Sequence, residues 1–218
     1  MNSISQQPVR AAFTASAYKS HIIAADTYVM EELKALKDFY RHTQGRERLL
    51  QARIEKLHID VAKGNAAAVV MQDRATGAFA GASACHFYDD DLCELSSVLI
   101  DPAHTGRGLY PAMRLAQNEV AGKRTQLLVE RLPLKVHDEQ VALRAAEGWS
   151  VLPADHPICL RVEAEKAKRG WISPEEWPPK TTFARAASGT QLALPDTYGN
   201  AGLIPAANRP AFAGVARV

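Results

Sequence analysis

The chain has 218 residues, 47% of them apolar and 23% charged, with a net charge of +2, enough for one full domain and a substantial extension. Near charge balance argues against strong, sequence-independent nucleic-acid binding. Its longest apolar runs fall far short of the roughly 20 residues that a membrane-spanning helix needs. The start, "MNSISQQPVRAAFTAS", lacks the continuous apolar stretch of a secretory signal. Cys85, Cys93 and Cys159 are few, odd in number and without metal-ligand spacing. They imply buried or free thiols in a reducing compartment, hence a cytoplasmic protein with no metal.

Residues 1–17 read as a flexible N-terminus. "YKSHIIAAD" has the pattern of a first strand, and Asp26 or Thr27 is suited to cap the helix that follows. Met30, Leu33, Leu36 and Tyr40 recur at helical spacing, with Glu31 and Glu32 placed where the helix dipole favours negative charge. After "TQG", Leu50, Ile54, Leu57 and Val61 form a second helical stripe, which Gly64-Asn65 stops. Arg41, Arg46, Arg48, Arg53 and Lys56 make this region mildly basic, diluted by Glu47 and Glu55, as on a solvated helical face. The period then changes. "AAAVVMQD" and "AFAGASACHFYD" read as strands joined through the turn "RATG", and "ELSSVLID" as a third strand covered on both faces. Leu109, Met113, Ala116 and Val120 make the next helical stripe, closed by Gly122. "TQLLVERL" reads as a strand, "DEQVALRAAEG" as a helix, and "WSVLPA" and "ICLRVEAE" as two final strands. The order predicts an α/β fold with a mixed, mostly antiparallel central sheet flanked by helices. Residues 18–165 form the domain. The remainder, 166–218, holds half of the 12 prolines and reads as a poorly structured C-terminal extension, which Trp171 and Trp177 could anchor to the core or to a partner subunit.

Within "CELSSVLIDPAHTGRGLYPAMRLA" a strand runs through a glycine pair into a helix. Unpaired N–H groups at a helix start, with the dipole behind them, attract anions. Gly106 and Gly108 would let backbone approach a phosphate, and Arg107 adds charge. Pro111 in the first turn loses no intrahelical bond. A tight turn without a ligand accounts for "GRG" equally well. Neither G-x-x-x-x-G-K-[ST] nor G-x-G-x-x-G is present.

The stretch "ELSSVLIDPAHTGRGLYPAMRLA" resembles the acyl-CoA-binding motif of the GNAT superfamily of N-acetyltransferases, in which a strand and a "DP" link precede [Q/R]-x-x-G-x-[G/A] at a helix start. The order of elements over about residues 18–165, ending in "EGW", is similar to the family's as well. The resemblance implies an enzyme that transfers acetyl from acetyl-CoA, or another acyl group from its CoA thioester, to a primary amine by direct attack. Thr105, Gly106, Arg107, Gly108, Leu109 and Tyr110 would form the pyrophosphate loop, and the backbone of Val98, Leu99 and Ile100 would pair with the pantetheine arm. Glu94 matches the position of a base glutamate, with His86 and the run Asp89-Asp90-Asp91 as alternatives. His137 stands where asparagine is frequent, and would contact the pantetheine or cap the helix region. Arg144 stands where many members carry the tyrosine that protonates the thiolate; arginine keeps its proton, and would instead stabilise the thiolate or hold a cofactor phosphate. Thr105 replaces the usual Gln or Arg, and Tyr110 replaces Gly or Ala. These departures suggest a second reading, a catalytically impaired module that binds acyl-CoA or a protein partner. A third, an enzyme acylating charged tRNA, needs a more basic face. A small-molecule or protein amine acceptor, no membrane and no nucleic acid, and a homodimer complete the expectations.

Overall fold

The computed structural model describes residues 17–26, 30–44, 48–88, 91–96, 98–133, 138–171 and 180–188. The chain divides into two units, Met1–His86 with Ser96–Lys123, and Phe87–Leu95 with Arg124–Val218.

In the first unit β1 (Tyr18–Ile23), β2 (Ala66–Asp73) and β3 (Phe79–Phe87) run antiparallel in that order. The β2–β3 turn is the expected "RATG" link: Asp73 Oδ1 accepts from the N–H groups of Ala75 and Thr76, and Gly77 N donates to Asp73 O at 2.8 Å. The two faces of this hairpin bury different helices. Ala66, Ala68, Val70, Ala82 and Ala84 pack with Leu33, Leu36, Phe39 and Tyr40 of α1 (Met30–Gln44) and with Leu57 and Val61 of α2 (Arg48–Ala62). Met30 was expected on that stripe, but as the first residue of α1 it is exposed, and Phe39 fills the buried row. Side chains of Leu50 and Ile54 fall outside the described residues. On the other face Met71, Ala80 and Tyr18 meet Leu109 and Met113 of α3 (Leu109–Gly122). A register shift between Met71 and Gln72 puts Phe79 on the first face and Ala80 on the second. Gly81 is needed where α3 crosses, because a Cβ there would lie 2.6 Å from Met113 Sδ and 3.1 Å from the carbonyl of Leu99.

The segment expected as one strand, "ELSSVLID", is two. β4 (Leu92–Leu95) belongs to the second unit, while β5 (Leu99–Ile100) pairs with β3 in the first, Gly81 opposite Ile100 and Ala82 opposite Leu99.

In the second unit β4 runs parallel to β6 (Leu127–Pro133). The other described pairings in this chain are antiparallel, so the strands form the mixed, mostly antiparallel arrangement expected. β7 (Ser150–Leu152) follows α4 (Asp138–Ala146). The segment "ICLRVEAE", expected as a strand, lies in α5 (Pro157–Lys168). Its apolar residues satisfy both periods, and local chemistry selects the helix. His156 caps it, Nδ1 accepting from Ile158 N at 3.2 Å, and Pro157 occupies the first turn. Cys159 and Val162 are buried while Leu160, inward in a strand phase, is 58% exposed. The last strand comes later, from the segment read as an extension. β8 (Lys180–Ala186) pairs with β6 on one side and β7 on the other, with Phe183 and Ala184 fully buried. Ordered structure therefore continues past residue 165. Trp171 is partly buried, and Trp177 lies outside the described residues.

Candidate functional site

The glycine turn of the first unit is built by the residues before it. Asp101 Oδ1 accepts from Ala103 N at 2.8 Å and starts a single 3-10 turn over Pro102–His104. The chain then reaches α3 through Gly106 at φ 78° and Gly108 at φ 74°, a left-handed backbone that residues with a Cβ adopt at a cost. Space above Gly106 is open, with no atom within 4 Å of where a Cβ would stand. Gly108 is the N-cap and supplies no side chain to the helix start. The hydroxyl of Thr105 faces the carbonyl of Asp101 at 3.5 Å, and the N-cap residue of α3 makes no side-chain hydrogen bond to the helix start. Leu109 is buried and anchors the turn, and Tyr110 is 40% exposed.

Arg107 is held from the far end of the sequence. Its Nη1 donates to the Tyr18 hydroxyl at 3.2 Å, and that hydroxyl lies 2.9 Å from His104 Nδ1. His104 in turn stands 4.0 Å from Asp73 Oδ2.

The strand break between β4 and β5 is fixed by side chains. Ser96 N donates to Ala84 O at 2.8 Å, and Ser96 Oγ accepts from Ala84 N at 2.7 Å. Gln117 of α3, fully buried, donates from Nε2 to the carbonyls of Ala84 and Ser96, each at 3.1 Å, and accepts from Arg114 Nη1 at 3.0 Å. Beyond this lock β5 has one ladder partner among the described residues, β3. Its other edge leaves the backbone of Leu99 and Ile100 without a second strand, and Val98, Leu99 and Ile100 are all partly exposed.

The second unit contains a buried acid cluster. Glu94, third residue of β4, is 8% exposed. Its carboxylate accepts from the hydroxyl of Tyr88 and binds the ammonium of Lys166, with Nζ 2.8 Å from Oε1 and 2.7 Å from Oε2. Arg169 covers the ring of Tyr88 at 5.0 Å and donates to the carbonyl of Phe87. Burial, reinforced by the charge of Glu94 and the hydrogen bond to it, pushes the Tyr88 phenol well above its usual range, so Tyr88 holds its proton at neutral pH.

No protein-family profile matches the chain, and no curated protein does. Solved structures do. An acetyltransferase from Streptococcus agalactiae superposes with a TM-score of 0.55 at 12% identity, covering 78% of this chain and 98% of that one. The ribosomal-protein-S18-alanine N-acetyltransferase of Escherichia coli gives 0.51 at 12% identity, over 81% and 97% of the two chains. A GNAT superfamily phosphinothricin acetyltransferase from Sinorhizobium meliloti, solved with AcCoA, gives 0.50 at 16%, over 87% and 96%. The chain has the GNAT fold.

Of the residues expected to hold acyl-CoA, Thr105, Gly106, Arg107 and Gly108 lead into α3, which begins with Leu109 and Tyr110, and Leu99 and Ile100 form β5, preceded by Val98. Arg144 is engaged elsewhere: its Nε stands 2.8 Å from Glu130 Oε2, Nη2 donates to Glu130 Oε1 at 3.3 Å, and Nη1 donates to Glu147 at 3.1 Å. With Glu130 only 2% exposed, the guanidinium balances a buried carboxylate. His137, Asp89 and Asp90 lie outside the described residues. Asp91 is bound by Arg161 of α5, and His86, at the end of β3, is partly buried. Cys85 and Cys93 are fully buried, as expected of small apolar filling. Burial raises the thiol pKa of Cys159. Among the described residues no group of three His, Cys, Asp or Glu side chains has the arrangement of a metal site, and no helix is long and apolar enough to cross a membrane.

Sequence reading missed Tyr18, Tyr88, Ser96, Gln117 and Lys166. A buried Gln in the α3 stripe was the one visible signal, since Gln117 recurs with Met113 and Val120 at helical spacing. The other four act on partners distant in sequence or across a strand break.

Proposed function

We propose that the chain is an acyl-CoA-dependent N-acyltransferase, most simply one that moves acetyl from acetyl-CoA to a primary amine of a small molecule or a protein. The observation that carries this reading is the start of α3: two left-handed glycines, open space above Gly106 and a helix N-terminus without a side-chain cap. A pyrophosphate fits that chemistry, since backbone N–H groups at a helix start and the helix dipole stabilise anions without a Cβ in the way. Arg107, steadied by Tyr18, adds a formal charge at the turn. Thr105 contributes backbone rather than the usual Gln or Arg side chain, and Tyr110 has its ring partly in solvent.

When bound, the thioester supplies an activated acyl carbon. The chain's part is to bind, orient and manage protons. The free edge of β5 offers Val98, Leu99 and Ile100 to a pantetheine arm as an added strand. Ser96 and Gln117 hold the chain ahead of β5 against β3. Glu94 accepts a proton from the ammonium of the acceptor, because only the neutral amine attacks. Tyr88, which keeps its own proton, orients the Glu94 carboxylate. Arg144 is assigned to Glu130 and has no part in the chemistry. The engagement of both Glu94 oxygens by Tyr88 and Lys166 favours one second reading, a chain that binds acyl-CoA with its base blocked.

Thermal unfolding with acetyl-CoA, CoA and longer acyl-CoAs tests binding: ligand at about 100 times Kd stabilises by about 2.7 kcal/mol. Thiol release across an amine panel then separates enzyme from module. Absence of any stabilisation overturns both. Stabilisation without thiol release on any amine favours the module.

A further inference from the structure

An exposed arginine on a turn spreads over many rotamers, and gathering it onto a ligand costs entropy. Arg107 is exposed, yet its guanidinium is tied 89 residues back in the chain, to the hydroxyl of Tyr18. That hydroxyl is a fixed point. Tyr18 is 3% exposed, and its ring packs in the cluster that holds Leu109 and Met113 of α3. Its carbonyl accepts from Arg74 Nε at 3.1 Å, and Arg74 N donates to the carbonyl of Ala17 at 2.9 Å. Asp73 of β2 stands directly opposite it in the ladder. The ring of His104 meets that of Tyr18 edge-on, with centroids 5.7 Å apart, and sets Nδ1 2.9 Å from the hydroxyl. His104 is itself placed by the 3-10 turn that the Asp101 carboxylate starts. Asp73 divides its carboxylate, giving Oδ1 to the β2–β3 turn and setting Oδ2 4.0 Å from His104 Nδ1. Strand, 3-10 turn and glycine turn thus meet at one hydroxyl.

We propose that Tyr18 and His104 are positioning residues for acyl-CoA: they hold Arg107 at the glycine turn before the ligand arrives, so that the turn recognises the pyrophosphate of the carrier. The inference rests on the proposed reading of that turn and deepens it, naming what sets the strength of the pyrophosphate contact. Tyr18, Asp73, His104, Arg107 and the turn all belong to the first unit, so the device needs nothing from the second. Backbone N–H groups at a helix start attract any small anion. A guanidinium adds a planar fork that matches phosphate oxygens in pairs. A fork whose orientation is fixed by its neighbours binds with a selectivity that a freely turning one lacks. Arginine has five N–H donors and one goes to Tyr18, so phosphate can bind without breaking the tie.

Calorimetric titration of the full chain with acetyl-CoA gives the affinities of wild type, Tyr18→Phe, Arg107→Gln and the double variant. Tyr18→Phe keeps the ring and its packing and removes the tie. It should weaken acetyl-CoA binding about fivefold, the scale of ordering one long side chain. Arg107→Gln should weaken it about tenfold or more, as a charge-assisted phosphate contact is lost. The two losses should not add: in the Arg107→Gln background, Tyr18→Phe should change affinity by less than about twofold. A tyrosine that only props up the fold would weaken binding equally in both backgrounds. Equal loss therefore overturns the proposal, and so does wild-type affinity in Tyr18→Phe. Should Tyr18→Phe fail to fold, His104→Leu takes its place in the same cycle: loss confined to the Arg107 background supports the proposal, and equal loss or none overturns it. A wild-type chain that acetyl-CoA does not bind overturns the acyl-CoA reading as well. Wild-type binding with additive losses overturns this inference alone.

Discussion

Arg144 and Glu130 permit a sharp test of whether this arginine works in chemistry or in folding. Replacing Arg144 with Met keeps the length and apolar stem and removes the guanidinium. Glu130, 2% exposed, then loses the two contacts at 2.8 and 3.3 Å that compensate its charge. Breaking a buried ion pair from one side costs about 3–5 kcal/mol. The Glu147 contact, with that side chain 47% exposed, adds at most about 1 kcal/mol. Against a total stability of about 5–15 kcal/mol, this is a large fraction. With a urea m-value of about 2 kcal/mol/M the midpoint falls by about 2 M. The double variant Arg144→Met with Glu130→Leu replaces the pair by apolar groups and should recover most of the loss. Urea unfolding followed by circular dichroism gives the three midpoints, and thiol release with a competent amine gives turnover. A double variant as unstable as the single one would refute the ion-pair reasoning. Wild-type stability with turnover lost in Arg144→Met would put the guanidinium in the reaction.

Two further outcomes follow from the packing and the acid cluster. Gly81→Ala places a methyl 2.6 Å from Met113 Sδ and 3.1 Å from the Leu99 carbonyl; the sulfur can shift but the backbone of β5 resists, so a loss of about 1–3 kcal/mol is expected, and an unchanged denaturation midpoint would contradict it. Tyr88 makes stability depend on alkaline pH. Its phenol is raised above the ordinary value of 10.0 in the folded chain, so below pH 10 both states keep the proton and the group adds no slope. Above pH 10 the unfolded state releases it first, and stability falls by up to about 1.4 kcal/mol per pH unit until the folded pKa is passed. Tyr88→Phe should flatten that limb relative to wild type in unfolding measured at stepped pH; equal slopes would show that the phenol does not titrate late.

What the sequence revealed was local, and what it hid was distant. Gly106 and Gly108 announce themselves because a positive φ suits few other residues, and the "RATG" turn carries its own Asp-based hydrogen bonds. The buried Leu33, Leu36 and Tyr40 of α1 and Leu57 and Val61 of α2 follow from spacing alone. By contrast α5 was misread because Ile158, Leu160 and Val162 alternate like a strand, and the deciding cap is a single imidazole. The break in "ELSSVLID" depends on Gln117 reaching Ser96 across 21 residues, and the restraint on Glu94 on Lys166 across 72. No window along the chain contains either pair. β8 escaped for a related reason: its flanks are rich in proline, and a seven-residue strand acquires its place only from the strands on each side.

That last placement bears on how the chain is made. β7 leaves the ribosome some 30 residues ahead of β8, yet it reaches β6 only through β8. Until Ala186 has emerged, β7 has no described strand to pair with, and the free edge of β6 stays open to other partners. The second unit therefore closes late in synthesis, with Phe183 as the wedge that completes its interior. A chain stopped after residue 166 would keep the glycine turn before α3 and lose the strand that joins β6 to β7.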